Sequence, residues 1–546
     1  MIRPPSATSA AANIRGLGAF GQEPSPRNFC RAARTAIFLR VNRLEESDHL
    51  SSTSAPRERL RAVVALLVIV ALGGWLRGSQ VGESLWLDEL HTSWVVADGW
   101  GSIVPRAQAG NQGPLYFYLV RGCVECGGHH EWTLRLVSLV AGTGLIAAVY
   151  GLVRRWRGSV STALLAALLV ALQRDCIFYA QEARPYALLQ LIALWHGALV
   201  VELWERPSSL CRVAYVLGAA VLFYLHYTSA LFLLAESVAF AVWRCTQHNA
   251  TGYRWRMWAV DCLLIGLLLL PAMQHLQQIA AVRQNWARMV SVWPGTGMQY
   301  LGLFYIGLPL LALGVGRIFR WRTGVAWRPA VWMWVGCWCV VPPLVAWFST
   351  WLGLAALGIV RYLVASIAGL IVFAVWVQSR YVSRLYRSCA ATALVVCTLA
   401  VGGLVEQWSL DGRWIGDRQE PWSELVTWLN QRTDSVPRPV YVCAGLLEDA
   451  ALVENDSAAL RDYCLFPVRG IYRVTAERVD PLPTRRDVRV PAALREVAVQ
   501  QGGVWLIVRS RPERAAAIVA TIAAQLAARE TETWQRGNLT VVRLDR

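Results

Sequence analysis

The chain has 546 residues, of which 55% are hydrophobic and only 16% charged, with 27 tryptophans and a formal net charge of +17. That balance excludes a soluble enzyme and points to a polytopic helical membrane protein. It also makes nucleic-acid binding a poor account of the charge, because the polar tail from Asp411 onward is nearly neutral and the excess lies around the apolar segments and in the first 60 residues.

Residues 1–60 are rich in Arg, Ser, Ala and Pro, with Glu23 the only acid before Glu45. This composition reads as a disordered basic cytoplasmic tail, although an Arg-rich, acid-poor leader also resembles an organellar transit peptide. Apolar stretches follow near 62–76, 133–153, 160–174, 185–203, 213–224, 227–243, 257–273, 298–315, 330–348, 362–377 and 390–405, giving about 11 spans. The apolar run Pro114 to Val120 is too short to cross a bilayer, which takes about 20 helical residues, and reads as a helix at the membrane surface. With that run excluded, the Arg-rich stretches 154–157, 244–256, 317–328 and 380–387 all fall on the side of the basic N-terminus. This is the positive-inside pattern, and it puts the tail and the first loop outside.

The tail, 411–546, changes rhythm. Pro439 to Cys443, Val504 to Val508 and Thr540 to Leu544 read as short strands, and Pro421 to Gln431 and Pro512 to Arg529 as helices with proline in the first turn. The expected fold class is therefore mainly α, a polytopic helical membrane protein with a small C-terminal α/β extracytoplasmic domain. The expected division is a tail at 1–60, a transmembrane domain at 61–410 containing a first external loop at 77–132, and a soluble domain at 411–546. All 53 cations are arginines, so each is permanently charged and forked for phosphate or carboxylate. Most of the 13 cysteines lie in apolar segments and read as small hydrophobes; Cys443 and Cys464 flank a polar stretch and would be able to pair outside the cell. Cys123, Cys126, His129 and His130 lack a second ligand pair at zinc spacing. The sequence requires no metal, and a divalent-cation requirement stays open.

Chemistry concentrates in the first loop, at Ser84-Leu85-Trp86-Leu87-Asp88-Glu89-Leu90-His91. Two adjacent carboxylates beside a hydrocarbon slab are costly unless they face water and act there. A partly desolvated carboxylate is suited to take a proton from a hydroxyl, while an ordinary solvated loop is the plain alternative. Arg184 and Arg361 stand at span ends, where a guanidinium either forks onto phosphate oxygens or snorkels to head groups. Glu182 is placed to pair with Arg184, and Glu131 reads as a helix-start acid or a substrate contact. Glu236 and Asp261, inside apolar stretches, read as helix–helix hydrogen-bonding groups.

Taken in order, these motifs resemble the C-type, polyprenyl-phosphate-dependent glycosyltransferases, a superfamily that includes protein O-mannosyltransferases and lipid A aminoarabinose transferases. Trp86-Leu87-Asp88-Glu89 is similar to the acidic motif of the family's first external loop. Gly113-Pro114-Leu115-Tyr116-Phe117-Tyr118 is similar to its Pro-Pro-Leu-Tyr-Tyr stretch, with Gly113 departing from the first proline. Arg135-Leu136-Val137-Ser138, Phe178 to Tyr186, His226-Tyr227, Arg361-Tyr362-Leu363 and Asp411 to Trp414 continue the resemblance over most of 60–430. It implies a bacterial inner-membrane enzyme of the cell envelope. Its partners would be a polyprenyl-phosphate sugar donor, membrane lipid, and a hydroxyl acceptor on a lipid, glycan or protein. Asp88 would be the base, and Glu89 would hold the acceptor or orient Asp88. Glu131, Glu182, Arg184, Tyr186, His226, Tyr227, Arg361 and Tyr362 would bind substrate. A lipid-carrier glycan polymerase or ligase, and a transporter, are the competing readings. The absence of an evident internal repeat and the placing of charge at span ends weigh against the transporter.

Overall fold

The computed structural model describes residues 54–546 apart from 248–251, 288–298, 300, 319–327, 356, 381–383, 434–437, 447 and 485–487. The basic tail expected at 1–60 lies outside the described residues up to residue 53, as do parts of the Arg-rich stretches 244–256, 317–328 and 380–387. The chain falls into two compact units, Met1–Val64 and Ala65–Arg546, and of the first only the start of one helix is described.

Apolar content and helix length go together. Helix α1 covers Ser54–Gly78. The first loop carries three short helices, α2 at Leu87–Val95, α3 at Ile103–Ala109 and α4 at Leu115–Gly127. Then come α5 at Glu131–Arg155, α6 at Val160–Leu172, α7 at Arg174–Ala180 and α8 at Tyr186–Glu205. They are followed by α9 at Ser209–Leu225, α10 at Ala230–Thr246, α11 at Trp255–Leu269 and α12 at Met273–Ala287. The series closes with α13 at Leu308–Ile318, α14 at Pro329–Trp351, α15 at Ile367–Ser379, α16 at Arg384–Val401 and α17 at Leu404–Asp411. Among the described residues six helices are long and apolar enough to cross a membrane, or up to eight if each bent pair is one span. Shorter apolar helices lie at Ser209–Leu225, Leu303–Gly314 and Val364–Ser379. The protein is an integral membrane protein. The apolar stretches singled out in the sequence lie largely on these helices among the described residues, with 390–405 divided between α16 and α17. Fewer of the helices than the expected 11 are long enough by themselves to span.

The bend of 60° between α6 and α7 has an identifiable support. A broken helix leaves terminal carbonyls without intrahelical donors. Arg77, fully buried at the end of α1, donates to the carbonyls of Val170 at 2.8 Å and Ala171 at 3.1 Å. The intramembrane acids behave as expected of hydrogen-bonding groups between helices. Glu236 of α10 meets His196 of α8 at 3.1 Å, and Asp261 of α11 takes the fork of Arg212 on α9, its shortest contact 2.6 Å.

Beyond α17 the chain forms α18 at Trp422–Thr433, β1 at Val440–Cys443, α19 at Ala458–Cys464, β2 at Val479–Pro481 and α20 at Ala492–Gln500. It ends with β3 at Gly503–Arg509, α21 at Pro512–Leu526, β4 at Arg529–Arg536 and β5 at Leu539–Asp545. The strand order is β2-β1-β3-β5-β4, with β1 parallel to β2 and β3, and β5 antiparallel to β3 and β4. Alternate residues serve opposite faces: Tyr441, Val504, Leu506 and Val508 pack with Ile518 and Ile522 of α21. Val442, Trp505, Ile507 and Val541 join Trp422 and Leu425 of α18 in the main core. Cys443 and Cys464 are buried free thiols.

Candidate active site

Asp88 stands in the first turn of α2, and much of what fixes that turn comes from the far end of the chain. The amide of Leu87 donates to Glu420 Oε2 at 2.9 Å, and Glu420 is held in turn by Arg509 Nε at 2.7 Å and by the Trp422 indole at 3.1 Å. A carboxylate at this point satisfies a donor that the helix itself leaves free and complements its dipole. The amide of Leu85 donates to the Tyr472 hydroxyl at 3.0 Å, which donates to Glu131 at 2.8 Å. Glu131 therefore supports the loop through Tyr472 and does not line the cavity described below.

Glu89, next to Asp88, points the other way into a fully buried junction. Arg135 of α5 forks onto it at 2.7 and 2.6 Å, Arg418 reaches it at 2.6 Å, and the Ala183 amide donates at 2.8 Å. Burial alone would raise the Glu89 pKa, but Arg135 and Arg418 outweigh it and hold the carboxyl below its ordinary value. The same junction positions the segment Gln181–Pro185: Thr92 donates to the Ala183 carbonyl at 2.7 Å, and Ser138 to the Arg184 carbonyl at 2.8 Å.

With the turn so held, a cavity of about 420 Å³ opens over Asp88. Asp88, Arg184, Tyr186, His226, Tyr227, Arg361 and Tyr362 all line it. Arg361 Nη1 lies 3.1 Å from Asp88 Oδ2, and Arg184 Nη1 donates to the Asp88 carbonyl at 3.2 Å. The His226 ring sits between Tyr186 and Tyr362, with centroids 5.5 and 5.9 Å away. Burial, then Arg184 and Arg361, lowers the His226 pKa to about 3, so it stays neutral. Tyr227 bonds His275 at 2.9 Å. The arrangement offers one half-exposed carboxylate able to accept a proton, two guanidiniums able to bind a phosphate, and an aromatic wall.

Gly113 lines the cavity, and a Cβ there would meet the Tyr224 carbonyl oxygen at 2.1 Å. Close backbone approach is the physical reason for glycine where the resemblance led one to expect proline.

Glu182 is the third acid that the cavity leaves out. It is 1% exposed, its Oε1 meets no hydrogen-bond partner among the described residues, and burial, only partly offset by Arg418, pushes its pKa up to about 8. It forms no ion pair with Arg184 among the described residues. An acid whose pKa rises on folding favours the fold while protonated, so that contribution is complete below about pH 4.5 and is lost as the pH rises through about 8. Glu182→Gln is expected to remove this loss. Thermal unfolding of both proteins across that range checks it, and parallel curves would count against a protonated Glu182.

Several site residues escaped the sequence reading. Arg418 and Glu420 sit in a polar stretch without periodicity, and Arg509, Tyr463 and Phe466 reach the site only through the tertiary fold. Arg135 did carry a signal, since a charge at the third residue of the apolar stretch 133–153 demands a partner. His129, from the metal-like group, bonds Ser93 at 3.0 Å, and His130 stacks on Trp132.

Comparison with known proteins adds to this geometry. A family model described as dolichyl-phosphate-mannose-protein mannosyltransferase matches residues 111–274. No curated protein matches the chain. The crystal structure of ArnT from Cupriavidus metallidurans in the apo state superposes with a TM-score of 0.51 at 12% identity, covering 90% of this chain and 98% of that one. The structure of the same protein bound to undecaprenyl phosphate gives 0.51 at 11% identity, covering 88% and 97%. The chain has the C-type glycosyltransferase fold. At this identity the likeness establishes the fold alone. Within the C-type fold, the family model takes in Glu131, Glu182, Arg184, Tyr186, His226 and Tyr227, while Asp88, Glu89, Arg361 and Tyr362 fall outside its range.

Proposed function

We propose that this protein is a membrane glycosyltransferase that moves a sugar from a polyprenyl-phosphate donor to a hydroxyl acceptor at the outer face of the membrane. The observation that carries the reading is Asp88 in a cavity between two guanidiniums, Arg184 and Arg361. The C-type fold, the mannosyltransferase family model and a solved relative bound to undecaprenyl phosphate support it.

In this reading Asp88 takes the proton of the acceptor hydroxyl as its oxygen attacks the anomeric carbon. The bond from that carbon to the phosphate oxygen breaks, and the departing phosphate keeps the electron pair beside Arg184 and Arg361. Such preorganised cations act where charge develops in the transition state. Tyr186, neutral His226 and Tyr362 provide a wall for the sugar ring, with Tyr227 at its edge. Glu89 positions the Asp88 turn through Arg135 and Arg418. Glu131 and Glu182 support the site without touching substrate.

The direct test is transfer by the purified protein from a polyprenyl-phosphate sugar, with mass spectrometry of envelope glycans and lipids from a strain lacking the gene to find the acceptor. An unaltered envelope together with no donor turnover would end the proposal. Donor kinetics probe the phosphate site. Arg184→Ala is expected to weaken donor use roughly tenfold to a hundredfold, since one contact to a charged group contributes about 1.5–3 kcal/mol. Arg184→Lys keeps the charge without the fork and should recover only part. Equal donor affinity in all three proteins would make Arg184 a head-group anchor instead.

Orientation is tested separately. A reporter that works only in the cytoplasm, fused at Gly412, is expected to be silent, because the Arg-rich stretches lie opposite the tail under the positive-inside pattern. An active reporter would reverse the proposed face.

A further inference from the structure

A second cavity, of about 230 Å³, lies in the C-terminal module, lined among others by Arg509, Arg511, Arg514, Thr484, Gly445 and Asn538. Its place in the topology is informative. The strands β2, β1 and β3 are parallel and adjacent in that order. The chain therefore leaves β1 for one side of it and returns on the other side as β3. Open α/β sheets bind ligands in the crevice beyond the carboxyl ends of their strands, at the point where the order reverses. Gly445 follows the end of β1, Thr484 the end of β2, and Arg509 ends β3. Gly445 has φ +65°, and a Cβ there would lie 3.3 Å from the Arg509 carbonyl oxygen, so a side chain would be strained at the mouth.

The lining defines the ligand. Among the described residues Glu420 is the acid at this cavity, and Arg509 already engages it at 2.7 Å. Arg511 and Arg514 are exposed and make no ion pair among the described residues. Thr484 is 6% exposed and lines this cavity. Helix α21 begins at Pro512 and adds the positive end of its dipole. Forked cations, a buried threonine hydroxyl and a helix start together suit a phosphate or a carboxylate. Gly445 and Arg509 line the Asp88 cavity as well, so the two cavities adjoin at these residues.

We propose that this pocket is a second anion site, which takes a phosphate or carboxylate group carried by the acceptor. The assignment to the acceptor rests on the transferase reading; the anion site itself does not. The test uses the full-length protein in phosphatidylcholine discs, with the main cavity first saturated by a polyprenyl phosphate and inorganic phosphate as the probe, followed by calorimetry. Saturable phosphate binding is expected, with competition by glucuronate. It should weaken by about tenfold or more in the Arg511→Gln/Arg514→Gln double variant, which should still bind polyprenyl phosphate. Thr484→Val, which keeps the shape, is expected to cause a smaller loss in the same direction. Equal phosphate binding by wild type and double variant, or none by either, would overturn the anion site. If discs of phosphatidylglycerol abolish phosphate binding, a membrane lipid fills the pocket and the acceptor assignment falls. Because the readout is phosphate binding, a protein that binds phosphate here yet transfers no sugar would overturn the transferase reading and leave the pocket standing.

Discussion

Asp88→Asn is expected to lower sugar transfer by a factor of about 10²–10⁴, the usual contribution of a positioned general base, while leaving the protein folded and inserted. Asparagine keeps the size of the side chain and can still accept from Arg361, but it cannot take up the proton of the acceptor. Stability should hardly change, because Asp88 and Arg361 are each more than a quarter exposed and pairs of that kind contribute about 0–1 kcal/mol. Transfer rates and unfolding temperature of the purified variant give both quantities. Full activity would remove Asp88 from the reaction.

For Glu89→Gln the expected result is different in kind. Glutamine keeps the shape but leaves the guanidiniums of Arg135 and Arg418 beside a neutral group, and Arg135 is fully buried. Removing one partner of a buried pair costs about 3–5 kcal/mol, because the remaining charge is left uncompensated. The variant should unfold at a clearly lower temperature and lose transfer together with stability. Adjacent acids thus separate by readout: position 88 changes rate alone, and position 89 changes both. An unfolding temperature equal to wild type in Glu89→Gln would show that the junction contributes little.

The membrane part of the fold was legible because hydrocarbon imposes one rule. Backbone groups inside it must be satisfied within the helix, so long uncharged runs such as 136–153 become helices. In the tail, β-branched runs revealed β1, β3 and β5. Two strands gave no such signal. Arg529–Arg536 is a charged edge strand, exposed along most of its length and without apolar alternation, and Val479–Pro481 is only three residues long. At the site, residue type and order brought Asp88, Arg184 and Arg361 into consideration, and the cavity gathers them. Which of two neighbouring acids faces the cavity was legible through the resemblance alone and not from the local residues. That depends on Arg135 and Arg418, and nothing local in the sequence ties residue 418 to residue 89.

The junction at Glu89 also sets an order of events during synthesis. Its partners come from residues 135, 183 and 418, and the acceptor for the Leu87 amide comes from residue 420. Contacts so distant in sequence form late, after the intervening chain has paid its loop-closure entropy. A chain without residues 418 and 420 lacks both the second cation at Glu89 and the acceptor for the Leu87 amide. Only when the last quarter of the polypeptide has emerged and docked does the Asp88 turn acquire its final shape. On the proposed reading, a chain that ends before residue 418 is expected to be membrane-embedded but inactive in transfer.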